Sequence, residues 1–295
     1  MFGLKRGSMT RELVLRKDQI RVLVSKDFKL KYNSTALGFL WSLMVPILTS
    51  AVYYVVFGIL LGMSRGPVGV RGELAKATPY FCLYLMSGVF IWQFFANVVT
   101  MNGMVLQGNG GLLKKTSFNR ELLIWGTFYT ESIHFALTIP ILFAIMLCNG
   151  IMPDWLTLIP NLVISLVTLT LFAMGLSYAY AACNVFFRDL ERIMNILMML
   201  WMFVSPVFIS VSIVPRELLW LYNLNPMALV LQCWRDAFWS PCFIGAALPP
   251  DSLYYGMTHA WHCGAYLPML LIGIATYYLG RTIFRKMEPA FAEMM

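Results

Sequence analysis

The stretch ALGFLWSLMVPILTSAVYYVVFGILLGMS, residues 36–64, contains no charged side chain, and it directly follows a strongly basic segment, Arg11–Lys31. A helix needs about 20 predominantly apolar residues to cross the hydrocarbon core of a bilayer, and this run is longer than that. Basic residues that flank a membrane span mark the side that faces the cytosol. The junction therefore predicts an integral membrane protein with a cytosolic N-terminal segment.

The composition supports the same conclusion. The chain has 295 residues, of which 59% are hydrophobic and only 12% are charged. Soluble domains carry about 25% charged residues, so this chain lacks the side chains for a water-facing surface of normal polarity. Its net charge of +8 resides mainly at the ends of apolar runs. That placement favours contact with anionic lipid heads over nucleic-acid binding.

We predict a single all-α transmembrane permease domain over residues 1–295, because lipid offers no hydrogen-bond partner to an open sheet edge. Six transmembrane helices are predicted, at about 36–62, 79–101, 122–149, 155–186, 193–214 and 263–284. With both termini in the cytosol, all but five of the 22 Lys and Arg residues fall on the cytosolic side. This bias follows the positive-inside rule. The exceptions are Arg65, Arg71, Lys76, Arg216 and Arg235.

Two further helical features are predicted outside the six spans. Residues 10–31 lack Gly and Pro and favour an amphipathic interface helix on the cytosolic leaflet, with a disordered basic tail as the alternative. Its lipid-facing cations would be Arg11, Arg16, Lys17 and Arg21. Residues 215–239 are too short to span the membrane and favour two short re-entrant helices on the outer side. Asn225-Pro226 marks the break between those two helices.

Signatures of soluble enzyme chemistry are absent from the chain. It contains no GxxxxGK[ST], HExxH or GxSxG motif, so we predict no catalytic residue and no bound nucleotide. His259-x-x-His262-Cys263 lacks a fourth ligand nearby and favours an interfacial loop over a metal site. Most of the six cysteines lie in apolar runs, although Cys242 and Cys263 could pair in an oxidising compartment.

Glu131 and His134 are the unusual pair of the third predicted span. A carboxylate within a membrane span is costly and usually faces a cavity or a partner. A spacing of three residues places both side chains on the same helical face. Three interpretations stay open: a proton relay, a polar patch lining a substrate path, and a structural pair that holds helices together.

Aromatic side chains are dense in the first two spans. They are Tyr53, Tyr54, Phe57, Phe90, Trp92, Phe94 and Phe95. Aromatic belts form at membrane interfaces, which accounts for many such residues. A surplus of aromatic rings also suits the apolar C–H face of a sugar. Belt and sugar path are both compatible with the sequence.

The connection between the second and third spans reads GNGGLLKKTSFNR, residues 108–120. Its Leu112-Leu113 pair would face the cytosol in the predicted topology. A pair of exposed apolar residues in a polar loop indicates contact with a protein partner. The alternative is a tight turn that dips into the lipid interface.

Taken in order, these segments resemble the membrane subunit of type-two ABC exporters, in the branch that exports lipid-linked polysaccharide, O-antigen or teichoic acid. The resemblance covers nearly the whole chain. It rests on Lys29-x-Lys31-Tyr32 with Leu37-Gly38-x-x-Trp41-x-x-x-x-Pro46, on Gly108-Asn109 with Leu112-Leu113-Lys114-Lys115 and Phe118, on Arg188-Asp189-Leu190, on Ser205-Pro206-Val207, on Asn225-Pro226 with Arg235, and on Gly280, Phe284, Glu288 and Phe291-Ala292-Glu293. Asn119 departs from the family pattern, which has proline after the phenylalanine, and this change affects the predicted start of the third helix.

The resemblance implies a multi-pass protein of the bacterial inner membrane that acts as a homodimer with two separate ATPase subunits. ATP and Mg would bind to the ATPases, and this chain would carry no cofactor. The basic N-terminal helix and residues 108–120 would contact the ATPase. The implied coupling residues are Gly108, Asn109, Leu112, Leu113, Lys114, Lys115 and Phe118.

The same resemblance implies a lipid-linked glycan as substrate, which would enter near the cytosolic leaflet between spans one and five of opposing copies. The expected path residues are Tyr53, Tyr54, Phe57, Trp92, Phe95, Glu131 and His134. Arg65 or Arg71 would meet the lipid pyrophosphate. The expected outer gate comprises Pro215, Asn225, Pro226 and Arg235. The alternatives are a proton-coupled carrier using Glu131 and His134, or an ABC permease for a small amphipathic drug or lipid.

Overall fold

A computed structural model describes residues 6–32, 38–61, 81–113, 119–148, 152, 155–187, 189–208, 216–218, 224–238 and 263–291. All regular secondary structure in these residues is helical. The helices are α1 (Arg6–Tyr32), α2 (Trp41–Tyr53), α3 (Phe81–Gly108), α4 (Gly110–Leu113), α5 (Glu121–Ala136), α6 (Thr138–Cys148), α7 (Trp155–Phe186), α8 (Leu190–Val204), α9 (Pro226–Phe238) and α10 (Cys263–Met287). The described part of the protein is therefore all-helical, as the sequence predicts for an integral membrane protein.

Five helical segments in the described part of the chain are long and apolar enough to cross a membrane. They are Trp41–Leu60, Phe81–Gly108, Glu121–Cys148, Leu158–Phe186 and Tyr266–Ala290. The fifth predicted span, 193–214, coincides in part with α8, whose 15 residues are shorter than a full crossing. The last residues of that predicted span, 209–214, lie outside the described residues.

Two of the spans are less regular than the sequence suggests. The first begins with a 3₁₀ turn at Gly38–Leu40 and continues beyond α2 as a π-helical turn at Tyr54–Leu60. The third, predicted as one helix, is divided at Leu137 into α5 and α6. Pro140 explains the division, since it lacks an N–H for the carbonyl four residues earlier and its ring crowds that carbonyl.

Two buried helices, α3 and α7, form the centre of the fold and pack along each other. Their contact depends on Gly103, because a side-chain carbon there would overlap the ring of Tyr180. Next to it, the Asn184 Nδ2 donates to the Gly103 carbonyl oxygen at 2.9 Å, and Gln107 Nε2 donates to the Asn184 carbonyl at 2.7 Å. Small residues and polar side chains of this kind hold helices together where lipid removes the hydrophobic driving force.

The most extensive helix pair is α7 with α10. The two backbones approach closely at Gly175 and Gly280, since a side-chain carbon on Gly280 would overlap the Gly175 carbonyl oxygen. A second close contact lies seven residues earlier on each helix, at Gly273 of α10 and Thr168 of α7. A side-chain carbon on Gly273 would lie 3.1 Å from the carbonyl oxygen of Thr168. The pair of glycines on α10 therefore sets its distance from α7.

The substitution Gly280→Ala should destabilise the protein, because neither backbone at this contact can move away easily. Overpacking of a well-packed site typically costs about 1–3 kcal/mol. We expect a lower apparent melting temperature in detergent, measured by fluorescence-detected size-exclusion chromatography after heating. Gly111→Ala is the matched control, because an added carbon at Gly111 meets nothing within 4 Å. Equal melting of the two variants would contradict the close α7–α10 contact.

Candidate functional site

A cavity of about 520 Å³ lies among the end of α1, the start of α2, the middle of α3 and the α5–α6 segment. Its walls combine aromatic, amide, hydroxyl and charged groups. The lining residues are Lys31, Trp41, Ser42, Val45, Pro46, Phe90, Gln93, Phe94, Asn97, Glu131, His134, Phe135 and Thr138. Because this mixture is polar and the space is large enough for several water molecules, the cavity can hold water or a polar ligand.

Glu131 is the most buried charged group on the cavity wall. One carboxylate oxygen, Oε1, lies 3.1 Å from the ammonium of Lys31. The other, Oε2, accepts from the amide of Asn97 at 3.3 Å and lies 3.5 Å from Nδ1 of His134. The Glu131 side chain is 5% exposed, whereas that of Lys31 is 44% exposed. Three helices, α1, α3 and α5, thus contribute a partner to one buried carboxylate.

This arrangement depends on how closely α1 approaches α5. Gly126 on α5 leaves room for Leu23, whose Cβ would lie 3.2 Å from a carbon added at the glycine. Further along both helices, Phe28 packs edge-on against His134 with ring centroids 5.1 Å apart. On α1, burial raises the pKa of the Asp27 carboxyl above its ordinary value, and the ammonium groups of Lys26 and Lys31 oppose that rise.

Aromatic rings form the apolar part of the cavity wall. Phe94 and Phe135 stack with centroids 4.7 Å apart, and both are buried, as is Phe90. Trp41 lies at the start of α2 and is 41% exposed. Flat aromatic faces beside amides, hydroxyls and a neutralised carboxylate suit a neutral polar ligand better than a strongly charged one, because the Lys31 and Glu131 charges offset each other.

The structure divides the predicted path residues among four places, the last of which is the core around Trp201. Glu131 and His134 line the cavity. Tyr53 and Phe57 pack on Phe208, at centroid distances of 4.8 and 4.6 Å. Tyr54, the third aromatic residue of this span in the predicted path, contacts Phe81.

Trp92 and Phe95, which are also predicted to line the path, lie in the core of this chain. They are only 3% and 0% exposed and pack around Trp201 in the core. Within this chain they therefore stabilise the packing of α3 against α8 and do not border a surface that a substrate could touch. Helical periodicity explains the difference, since these residues lie on the face of α3 that the neighbouring helices cover.

The predicted interface helix and coupling region come together at one point. Gly108 ends α3, and the ammonium of Lys26 on α1 donates to Oδ1 of Asn109 at 2.8 Å. Lys17 and Arg21 are exposed on α1. The main chain of Leu112 and Leu113 forms α4. Lys114, Lys115 and Phe118 lie outside the described residues, as do the side chains of Arg11 and Arg16 and the whole of Arg65 and Arg71.

Asn119 provides the start of α5 that the family pattern assigns to proline. Its Oδ1 accepts from the main-chain N–H of Glu121 at 3.0 Å, and its carbonyl accepts from Leu122 at 3.1 Å. Asparagine at a helix start satisfies N–H groups that have no partner within the helix. The departure from proline therefore leaves the start of this helix intact.

At the opposite end of the fold, Asn225 joins α8 to α9. Its Oδ1 accepts from Met227 N at 3.1 Å and from Trp201 Nε1 at 2.9 Å, while its Nδ2 donates to Ser205 Oγ at 3.0 Å. Asn225 thus caps α9, and Pro226 occupies the first helical position, where a missing N–H does no harm. Pro215, the remaining proline of the predicted gate, lies outside the described residues.

Arg235, predicted at the outer gate and counted among the loop cations, is fully buried. Its guanidinium donates to the Tyr84 hydroxyl at 2.8 Å and to the carbonyl oxygens of Pro206 and Val207, the latter at 2.6 Å. Its central carbon lies 3.6 Å from the centre of the Tyr84 ring. Arg235 therefore fixes the end of α8 against α3 and α9 and is not a surface charge.

A family model described as "ABC-2 type transporter" matches residues 18–239 of this chain. The chain belongs to the ABC-2 type transporter family. The match confirms the resemblance found in the sequence. It includes α1 from residue 18 onward, the other helices around the cavity and α9, and it ends before α10 begins.

Curated relatives extend the similarity of this ABC-2 chain over nearly its full length. A protein of Klebsiella pneumoniae named "O-antigen export system permease protein RfbA" is 29% identical over 281 residues, which is 94% of this chain and 95% of that protein. One of the same name from Myxococcus xanthus is 28% identical over 78% of this chain and 84% of its own length. The Escherichia coli "Polysialic acid transport protein KpsM" is 18% identical over 94% and 96%, respectively.

Some contacts of this ABC-2 protein could not be identified from sequence. Lys31 as the partner of Glu131 is one, although a lysine just before an uncharged span is a signal that its long side chain can reach inward. The partners of Glu121, treated below, are another. Among the described residues, no group of three or more His, Cys, Asp or Glu side chains comes together as a metal site would require.

Glu131→Gln should leave membrane insertion intact and reduce export by less than about tenfold, because an ion pair with a half-exposed lysine contributes on the order of 1 kcal/mol. Glutamine retains one side-chain oxygen, which can still accept from Lys31 or from Asn97. Export in cells, normalised to the amount of inserted protein, is the measurement. Two results together would contradict a structural role and favour a proton-coupled carrier. They are complete loss of transport in the variant and wild-type transport that requires a proton gradient.

Proposed function

We propose that this chain is the membrane-spanning subunit of an ATP-driven exporter. It would move a lipid-linked polysaccharide, an O-antigen or a similar glycan, from the cytosol to the outer side of the bacterial inner membrane. The family match over residues 18–239 carries the assignment as a transporter. The names of relatives aligned over 78% to 94% of the chain, three O-antigen export permeases and one polysialic acid transport protein, support a polysaccharide as substrate.

ATP hydrolysis belongs to a separate subunit in this proposal, and ATP and Mg bind there. The sequence has no phosphate-binding loop of the GxxxxGK[ST] type that would hold a nucleotide on this chain. The contact between α1 and the coupling region favours a common docking site for the ATPase. Lys26 of α1 bonds to Asn109 at the end of α3, and α1 packs on α5. A displacement of α4 or α1 by the ATPase would therefore be transmitted to the cytosolic ends of both α3 and α5.

Two copies of the chain form the pathway in this proposal. The apolar outer surfaces of α2 and α8 support it, because both helices present rows of large exposed apolar side chains. These are Val45, Leu48, Val52, Val55, Val56 and Ile59 on the first span, and Ile193, Ile196, Met199, Leu200, Phe203 and Val204 on α8. Their ends meet at Phe208, so one continuous face is available to a second copy.

Six spans with both termini in the cytosol complete the proposed topology, with α8 and the residues after it forming the fifth crossing. Residues 215–239 would be the outer gate, in which Asn225 and Pro226 begin the α9 helix. Arg65 or Arg71, in the outer connection, would meet the pyrophosphate of the lipid carrier. The cavity beside Glu131 would border the cytosolic half of the path.

Replacing both Leu112 and Leu113 with Asp should abolish export and the co-purification of an ATPase, because two carboxylates would remove the proposed apolar contact between α4 and the ATPase. Membrane insertion should not change, because the segment lies in a connection between spans. The measurement is the ATPase subunit recovered per tagged chain after gentle detergent extraction, together with ATP hydrolysis. The matched control is the double substitution to Met, which keeps the apolar character and similar volume. Normal export by the double Asp variant would refute docking at this site.

Two differently tagged copies expressed together should co-purify through either tag, because each pathway would contain two chains. Copies expressed separately and mixed only after extraction provide the control for exchange in detergent. The homodimer would be contradicted if the ATPase co-purified through each tag while the other tag was never recovered with it.

A further inference from the structure

Glu121, the first residue of α5, accepts from two arginines at the end of α10. Nη2 and Nε of Arg281 lie 2.9 and 3.2 Å from its two carboxylate oxygens, a bidentate geometry. Nε of Arg285, one turn further along α10, lies 2.9 Å from Oε1. The Glu121 side chain is 14% exposed, so the carboxylate is largely enclosed by these groups.

A second contact runs beside the first. Nη1 of Arg120 donates to the main-chain carbonyl of Glu288 at 2.8 Å and lies 3.7 Å from the Glu288 carboxylate. Arg120 is the last residue of the coupling region, 108–120, and Glu121 follows it directly. Asn119 fixes their backbone through its side-chain bond to the main-chain N–H of Glu121. We call this set of contacts the α5–α10 clamp: Arg120, Glu121, Arg281, Arg285 and Glu288.

The far side of the clamp is rigidly attached to the core. Phe284 and Phe291 are both fully buried, and their rings lie 5.4 Å apart. Phe284 packs on Tyr178 of α7 at 5.4 Å, and Phe291 lies 6.2 Å from Phe186 at the end of α7. Together with the close contact between Gly175 and Gly280, these rings hold α10 tightly against α7. A displacement of the start of α5 is therefore passed to both helices.

We propose that the clamp residues at and just after the end of α10, namely Arg281, Arg285 and Glu288, are a working part of the coupling unit. Glu121 is the positioning residue that links them to residues 108–120. This inference rests on the proposed function, since it requires that residues 108–120 receive movement from an ATPase. Bidentate arginine–carboxylate pairing resists sliding and rotation between helices, which a single apolar contact does not. The clamp transmits the movement of the coupling region to α7 and α10, while α1 transmits it to α3.

The clamp is poorly suited to a purely stabilising role. Arg285 is 59% exposed at its side chain and Arg281 is 31% exposed, so solvent screens both pairs. The fold at this point is already held by the buried aromatic residues and the glycine contact. Loss of the clamp should therefore alter how much transport each ATP drives more than it alters stability.

The test compares wild type, Glu121→Gln and the control Lys286→Gln, each purified with its ATPase and placed in sealed lipid vesicles. Lys286 is an exposed cation on the same turn of α10, and its ammonium takes no part in the Glu121 contacts. The measured quantity is glycan exported per ATP hydrolysed, with glycan export in cells as the companion measurement. We expect Glu121→Gln to retain the ATPase and its hydrolysis but to lower this ratio by about fivefold or more, a typical size for lost coupling between sites. Lys286→Gln should match wild type.

An unchanged ratio in Glu121→Gln overturns the proposal, whatever happens to its melting temperature or yield. Should Glu121→Gln fail to insert, the Arg281→Gln and Arg285→Gln variants decide by the same ratio. A wild-type chain that binds no ATPase instead refutes the proposed function itself, so the two failures are distinguishable.

Discussion

A carboxylate within a membrane span must be paired before the helix that carries it can reside in lipid. Glu131 meets this constraint with partners from three helices: Lys31 of α1, Asn97 of α3 and His134 of α5. The pairing fixes the end of the N-terminal helix at the point where the first span begins. It also leaves a polar cavity beside the carboxylate. This one group thus joins α1 and α3 to α5.

The remaining helices are joined by other means, because lipid is as apolar as the side chains that face it. Glycines at 103, 175 and 280 allow backbones to approach each other. Buried polar groups add direction: Asn184 bonds to α3, Asn225 joins α8 to α9, and Arg235 bonds to the carbonyls at the end of α8. Asn225 and Arg235 satisfy main-chain atoms at the break between α8 and α9. Close contact and polar bonds together produce a fold with two central helices, α3 and α7.

An ABC-2 membrane subunit has to convert movement at its cytosolic end into rearrangement of its spans. In this chain the ends of α1, α3, α5 and α10 near residues 108–120 are connected by polar contacts that require defined geometry: Lys26 with Asn109, and Glu121 with Arg281 and Arg285. The helices with the most exposed apolar surface, α2 and α8, are not part of these contacts. A rigid connected set beside two less constrained helices is an arrangement suited to opening a path along α2 and α8. Polysaccharide export by two such copies is consistent with it.

The sequence by itself determined the membrane setting, the helical class, the approximate places of the long helices and the family. These follow from local properties, namely the length of apolar runs, the distribution of charge and the order of short motifs. Glu131 and His134 could also be singled out, because a carboxylate in an apolar run is unusual wherever the run packs. Only the tertiary structure decided which side chains meet. It brought Lys31 to Glu131 and two arginines of α10 to Glu121, pairs separated by a hundred residues or more. It also placed Trp92, Phe95 and Arg235 in the core. The reason is that burial of an aromatic or cationic residue depends on which helix covers its face, and that is a property of packing rather than of the local sequence.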